Sequence, residues 1–167
     1  MQKKLPETID FLKQVEKNAS YECVWPVSRF ERLGDVVHDN SGKVTARLRF
    51  GISAGTRCLD GYVQADLELR CDRCLKPVKQ HIESGFRFGL VTSEEEANML
   101  PKEFEPLIVT GSEVSLLDLV EDELLLSLPI VAKHEEECSE ILQQHKEDDE
   151  AQHDTYRPFA ALKDLMN

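Results

Sequence analysis

The stretch "KVTARLRFGISA", residues 43–54, decides the fold, because its apolar residues occur at every second position. Apolar residues from Val44 to Ala54 occupy the even positions, and charged or polar residues occupy most of the odd ones. A period of two predicts a β-strand with one buried and one solvated face. Residues 61–71 and 78–90 repeat the alternation after short turns. We therefore predict an antiparallel meander.

The strongest helical signal is "SLLDLVEDELLLSLP", residues 115–129. Ser115 with Asp118 resembles a capping box, and Pro129 ends the helix. We predict an α+β fold in which the antiparallel meander sheet packs against this long amphipathic helix, with smaller helices near both termini, the first within residues 6–18. The expected apolar stripe consists of Leu116, Leu117, Val120, Leu124 and Leu128.

The chain length of 167 residues favours one domain with a tail. We expect residues 1–138 to form a single α+β domain that contains both the meander and the helix at 115–128. Residues 139–155 are polar and charged, which predicts an acidic flexible linker. Apolar residues return in 156–167, where we expect a short C-terminal helix that is docked or binds a partner.

The charge of the chain is uneven. The net charge is −12, with a balance of +3 over residues 1–90 and −15 over residues 91–167. A field this negative repels nucleic acid, so any RNA contact must come from the first half. We expect no DNA partner. No apolar run has the length of a membrane span or of a signal peptide. We therefore expect a cytoplasmic protein with no membrane partner.

Five cysteines, an odd number in a reducing compartment, favour free thiols or metal ligands over a disulfide framework. Cys71 and Cys74 lie at the turn between the second and third strands, as is usual for half of a structural zinc site. In "KHEEEC", His134 and Cys138 have the spacing of a second half. The four residues would make a Cys3His zinc site. A redox pair, and a turn without metal, are the alternatives.

Basic side chains share the solvated phase of the meander and its turn. They could form a face that follows RNA phosphates. Asp66 and Glu68 lie in the same phase and could instead pair with Arg47 or Arg49 across strands. The candidate RNA-binding residues are Lys43, Arg47, Arg49, Arg73, Lys76, Lys79 and Arg87.

The helix at 115–128 places three carboxylates opposite its leucines: Asp118, Glu121 and Asp122. We expect them to bind a partner. The remaining carboxylates come in runs, which are usually solvated, and no nucleophile motif is present in the sequence. The sequence therefore favours a protein that is not an enzyme.

The order of these segments resembles the YceD family of large ribosomal RNA subunit accumulation proteins. The resemblance rests on "CDRC" at a strand turn, "FEPLIV", "SLLDLVEDELLLSLPIVAKHEEEC" and a terminal "RPFAALKDL". It implies a non-enzymatic role in the synthesis, processing or stability of 23S rRNA, and so in large-subunit assembly. The family's functional residues would correspond here to Cys71, Arg73, Cys74, Glu121, Asp122 and Glu123.

The implied partner is 23S rRNA or its precursor, bound directly through the basic face or through a basic ribosomal protein held by the acidic half. The alternative function is a zinc-stabilised protein-interaction adaptor with an acidic docking surface, acting outside ribosomes. A thiol oxidoreductase is a third class. An unchanged ratio of 23S to 16S rRNA after loss of the protein would favour the adaptor.

Overall fold

The predicted meander forms the centre of the structure. The computed structural model describes residues 8–111 and 113–138. In chain order, the elements are β1 (Thr8–Ile9), α1 (Phe11–Glu16), β2 (Ser20–Pro26), a 3₁₀ turn (Val27–Arg29), α2 (Glu31–Val36), β3 (Lys43–Ser53), β4 (Thr56–Arg70), β5 (Pro77–Val91), α3 (Glu94–Asn98), β6 (Glu105–Ile108), β7 (Val114–Ser115) and α4 (Leu116–Ser127).

The main sheet has five strands in the order β2-β3-β4-β5-β6, and β1 pairs separately with β7. Strands β2 to β5 are antiparallel to their neighbours, whereas β6 runs parallel to β5. A parallel pair requires a crossover connection, which residues 92–104 provide through α3. The fold is therefore mixed α+β with a mostly antiparallel sheet, and the predicted fold class is confirmed at this level.

One face of the sheet is buried and the other is solvated, as the alternation predicted. Val44, Ala46, Leu48 and Phe50 of β3 are buried, and the intervening Arg47 is exposed. We call the solvated side of the sheet the open face. It carries Glu22 of β2, Lys43, Arg47 and Arg49 of β3, Asp60, Tyr62 and Asp66 of β4, and Lys79, His81, Glu83 and Arg87 of β5.

The core has two hydrophobic clusters along the buried face. Near the cysteine turn, Leu33 from α2 and Leu124 from α4 pack against the sheet. At the opposite end, Phe11 from α1 and Leu116 from α4 pack with Phe50. Because α4 contributes to both clusters, it fixes the position of the two ends of the sheet relative to each other.

Helix α4 starts at the predicted cap, where Ser115 Oγ accepts a hydrogen bond from the Asp118 N–H at 3.1 Å. Its 12 residues make about three turns. Its buried side differs from the predicted stripe, because Leu117 and Leu128 are only half-buried. The buried residues include two glutamates, so a simple amphipathic pattern does not describe this helix. They are Leu116, Leu119, Val120, Glu121, Glu123 and Leu124.

The first of the predicted smaller helices corresponds to α1, which lies within residues 6–18 and is capped by the Asp10 carboxylate. Helix α2 was not predicted. Its only buried residue is Leu33, so its sequence carries no apolar period. The predicted linker 139–155 and the C-terminal helix 156–167 lie outside the described residues. Within the described part of the chain, no helix has the length and apolar character that a membrane span requires.

Candidate metal centre and neighbouring surfaces

The cysteine turn, residues 71–76, connects β4 to β5 and folds back on itself. The Leu75 N–H donates to the Cys71 carbonyl at 2.8 Å, and the Cys71 N–H donates to the Lys76 carbonyl at 2.9 Å. Leu75 adopts a left-handed φ of 60°, which reverses the chain. This closed turn brings the Cys71 and Cys74 thiols together on one side.

The chain after α4 returns along this turn. The Asp72 N–H donates to the Ala132 carbonyl at 2.8 Å, and the Ala132 N–H donates to the Asp72 carboxylate at 2.8 Å. His134 Nε2 lies 3.0 Å from the Pro77 carbonyl. Because a carbonyl oxygen only accepts, Nε2 carries the proton, and the Nδ1 lone pair can bind a metal ion.

The structure brings together the four predicted ligands, Cys71, Cys74, His134 and Cys138. The thiol sulfurs of Cys71 and Cys138 are 3.7 Å apart, and Cys74 Sγ lies 3.6 Å from His134 Nδ1. All four ligand atoms lie within 4.8 Å of one another. A tetrahedral zinc ion with Zn–S bonds of about 2.3 Å and a Zn–N bond of about 2.0 Å separates its ligands by about 3.5–3.8 Å. The donor set and spacing therefore fit zinc.

Cys71 and Cys138, the first and last of the four candidate ligands in the sequence, differ in their electrostatic surroundings. Burial raises the pKa of Cys71, but the backbone N–H groups of Cys74, His134 and Arg73 outweigh it and lower the pKa to about 5. Burial raises the pKa of Cys138 to about 11, together with contacts to the Cys74 and Cys71 thiols. Backbone dipoles thus stabilise one thiolate, while a second would need a cation beside it.

Arg73 holds the chain that carries His134 and Cys138. Its Nη2 donates to the carbonyls of His134 at 2.6 Å and Glu136 at 2.8 Å. Its Nη1 donates to the Glu137 carboxylate at 3.1 Å. Arg73 was predicted as a phosphate contact, but its guanidinium is engaged within the protein. These contacts fix the position of the segment that carries His134 and Cys138.

The remaining predicted RNA-binding residues divide into paired and unpaired groups. Arg47 lies 3.4 Å from Glu22, and Arg87 lies 2.6 Å from Asp60. Lys76 lies on the cysteine turn. Within residues 8–111 and 113–138, no hydrogen bond or ion pair engages the side chains of Lys43, Arg49 and Lys79.

The expected cross-strand pairing exists, but with other partners. Asp66 contacts His81 Nδ1 at 2.7 Å instead of Arg47 or Arg49, and this contact raises the pKa of His81. Glu68 lies opposite Lys79 in the register. The register of β4 and β5, which the sequence does not specify, therefore decides which cations on the open face are neutralised.

Glu121 does not lie on the surface where the sequence analysis placed it. It is 5 % exposed, and it accepts a hydrogen bond from the Leu33 N–H at 3.0 Å and from Arg32 Nε at 3.0 Å. It thereby satisfies a backbone donor at the start of α2. Asp122 is exposed but pairs with Arg32 at 2.6 Å, and Asp118 is exposed. Sequence reasoning missed Arg32, since nothing in residues 19–42 signals its partner.

Glu123 is the second buried carboxylate of α4. It is 8 % exposed and accepts a hydrogen bond from Ser84 Oγ at 3.3 Å. Burial raises its pKa. Together with Glu121, it attaches α4 to two different parts of the fold, α2 and β5.

Comparisons with known proteins agree with the resemblance seen in the sequence. A family model described as "Large ribosomal RNA subunit accumulation protein YceD" matches residues 59–166. A curated protein of Haemophilus influenzae with the same description is 34 % identical over 149 residues, covering 87 % of this chain and 86 % of the relative. No solved structure matches the chain. The chain therefore belongs to the YceD family of large ribosomal RNA subunit accumulation proteins.

Proposed function

We propose that this protein is a non-enzymatic ribosome-biogenesis factor that supports the synthesis, processing or stability of 23S rRNA and assembly of the large subunit. The observation that carries the proposal is the family match, whose description names accumulation of the large ribosomal RNA subunit and no reaction. The buried carboxylates of the protein support this proposal, because Glu121 and Glu123 both form hydrogen bonds within the fold, as structural residues do.

A zinc ion held by Cys71, Cys74, His134 and Cys138 is part of this proposal. Four protein ligands complete a tetrahedron and leave no open position, as in structural zinc sites. The ion would connect the turn between β4 and β5 to the chain that follows α4. The thiol-oxidoreductase alternative lacks the helix N-terminus that activates such pairs, since Cys71 and Cys74 lie on a turn between strands.

Direct contact with 23S rRNA or its precursor would use the open face. The side chains of Lys43, Arg49 and Lys79 form no ion pair or hydrogen bond with any described residue. A depression on the same face is lined by Arg47, Arg49 and Tyr62, and also by the carboxylates of Glu22 and Asp60. Guanidinium groups and an aromatic ring at one depression are typical of sites that hold phosphates and unstacked bases.

The indirect route to rRNA would use a basic ribosomal protein. Asp118 is the exposed carboxylate on α4 without a described partner, and Asp122 shares Arg32 with Glu121. The strong negative balance of residues 91–167 favours a basic partner for this half of the molecule. The same surface would serve the adaptor alternative outside ribosomes.

The deciding experiment compares ribosomal particles with and without the protein. Deletion of the gene should lower 23S rRNA relative to 16S rRNA and deplete large subunits in a density gradient. Wild-type protein should restore both, and so should Met99→Ser, which changes an exposed side chain at the end of α3. An unchanged 23S to 16S ratio in the deletion strain would overturn the proposal and favour the adaptor.

A further inference from the structure

A groove with a mixed apolar and polar lining lies beside the candidate metal centre. Its walls come from the end of α2, the end of β4 and the chain that follows α4. Two large aliphatic side chains in it are strongly exposed, Val36 at 49 % and Ile130 at 102 %. Exposed aliphatic residues gathered in one concavity mark a binding surface more often than isolated ones do. The apolar lining includes Val36, Val37, Leu69, Leu128, Pro129 and Ile130.

The polar residues of the groove give it a small negative charge. Asp35 and Asp72 contribute two carboxylates, and Arg70 contributes one cation. Arg70 is exposed and has no hydrogen bond or ion pair with any residue that the structure describes. An occupant should therefore be apolar with a slight excess of positive charge.

The described chain ends next to this groove. Cys138 Sγ lies 3.7 Å from Cys71 Sγ, and the next residue along the turn, Asp72, lines the groove. Residues 139–156 then comprise 18 positions. A coil of that length has a root-mean-square span of about 24 Å. The sequence that follows can therefore reach the groove of its own chain without strain.

The segment after these positions has the composition that the groove requires. Residues 157–167 read "RPFAALKDLMN" and place Phe159 and Leu162 three positions apart, with Leu165 after the same interval. In a helix, that spacing would place the three side chains on one face. The segment has a net charge of +1 from Arg157, Lys163 and Asp164. The family match continues to residue 166, so the segment belongs to the matched region.

We propose that residues 157–167 dock into this groove of their own chain. Phe159 and Leu162 cover Val36 and Ile130, and the two cations of the segment face Asp35 and Asp72. Tethering makes the contact favourable, because a short connection gives an effective concentration of the order of 1 mM. With an intrinsic dissociation constant of about 0.1 mM, about nine molecules in ten would be docked.

Hydrogen exchange on the full chain tests the proposal. The amides of residues 159–166 should exchange about tenfold more slowly than in the free peptide 157–167. Ile130→Asp and Val36→Asp, each at an exposed position, should abolish the protection. The matched control is Leu126→Asp, since Leu126 is 79 % exposed but does not line the groove. This variant should retain the protection, and circular dichroism should show that all three variants are folded.

Three results would overturn the proposal. The first is exchange of residues 159–166 at the peptide rate in the wild-type chain. The second is protection that survives both groove variants, which would place the segment elsewhere. The third is protection that disappears on tenfold dilution, because an intramolecular contact does not depend on protein concentration and a second copy would then be the occupant.

Discussion

The cysteine turn and the buried side of α4 both hold distant parts of the chain together, but they use different kinds of contact. Each joins parts of the chain that are far apart in sequence: Cys71 meets Cys138 across 67 positions, and Glu121 meets Arg32 across 89. The first contact was predicted and the second was not. Metal ligands are recognisable by residue type and spacing, whereas Glu121 binds a common arginine and the N–H of Leu33, which has no sequence signature.

This comparison predicts that the largest loss of stability follows from damage to the metal centre. Cys74→Ser removes one of four ligands, and metal binding contributes of the order of 10 kcal/mol in small zinc domains. We expect a strongly lowered melting temperature and loss of bound zinc, measured by elemental analysis of protein purified without chelator. Cys58→Ser is the control, because this buried thiol donates to the Gly51 carbonyl and lies outside the ligand set.

Wild-type protein should contain about one equivalent of zinc in that measurement. Less than about a tenth of an equivalent would remove zinc from the proposal. The cysteine turn would then be held by its backbone hydrogen bonds and by Arg73 alone. Such an outcome would leave the family assignment intact, because it rests on the sequence matches.

The second largest effect should come from Glu121. Glu121→Ala leaves the buried Leu33 N–H without its acceptor and Arg32 without its inner partner. We expect a loss of about 2–3 kcal/mol of unfolding free energy in urea titrations. Asp118→Asn changes an exposed carboxylate on the same helix and should cost less than about 0.5 kcal/mol. Equal effects of the two variants would contradict the structural role of Glu121.

A substitution at Arg73 tests how strongly the metal affinity depends on this residue, which holds the segment that carries His134 and Cys138. Arg73→Gln removes the guanidinium that binds the His134 and Glu136 carbonyls. Removing such supporting contacts typically weakens metal affinity about 10- to 100-fold. Competition with a chromogenic chelator measures this affinity. Arg70→Gln, at an arginine without a described partner, should leave it unchanged; equal weakening by both variants would indicate a general charge effect.

Substitution of Glu123 should change the free energy of unfolding by a smaller amount that depends on pH. Its pKa is raised by burial, so the folded state favours the protonated form, and stability is lost as pH rises through the folded-state pKa. Glu123→Gln mimics the protonated form and should gain up to about 1 kcal/mol at pH 7. The gain should vanish at a pH well below the ordinary glutamate value of 4.5, where both states are protonated.

Glu96 provides a contrast of opposite sign for the same urea titrations. The Thr92 N–H donates to its carboxylate at 2.8 Å and lowers its pKa. Stability from Glu96 is therefore present above the unfolded-state pKa and lost as pH falls. Glu96→Gln should destabilise the protein at pH 7, and the difference should shrink on acidification. A gain at pH 7 from both variants would contradict these assignments.

Much of the fold could be predicted because burial leaves a period in the sequence. The alternation from Val44 onwards predicted β3, and it extended correctly to β4 and β5. The parallel addition of β6 could not be predicted, because four residues carry no sign of strand direction. Helix α2 escaped detection for a related reason, since its single buried residue, Leu33, creates no period.

The candidate site was predictable where residue type limits the choice of partner. Four cysteine and histidine positions were sufficient to name the metal ligands, and the structure places all four together. The ion pairs of the open face could not be predicted in this way, because basic and acidic residues occupy the same solvated positions of the strands. Only the register shows that Asp60 lies between Arg49 of β3 and Arg87 of β5 and pairs with Arg87.

The smallest expected effect follows from this row of three residues. Asp60 faces Arg49 on one side and Arg87 on the other, but its carboxylate contacts only Arg87 among the described residues, at 2.6 Å. Arg49 is therefore available for a phosphate, whereas Arg87 would have to leave its partner first.

Arg49→Gln should flatten the slope of log affinity against log salt by about 0.7–0.9 for a 23S rRNA fragment. Over a fourfold range of salt concentration, this difference in slope changes the ratio of wild-type to variant affinity about threefold. Arg87→Gln should change the slope by much less and should instead lower stability slightly. Titrations at several salt concentrations measure both variants, and equal slopes for Arg49→Gln and wild type would exclude Arg49 as a phosphate contact. Wild-type protein without measurable RNA binding at low salt would favour the indirect route through a basic ribosomal protein.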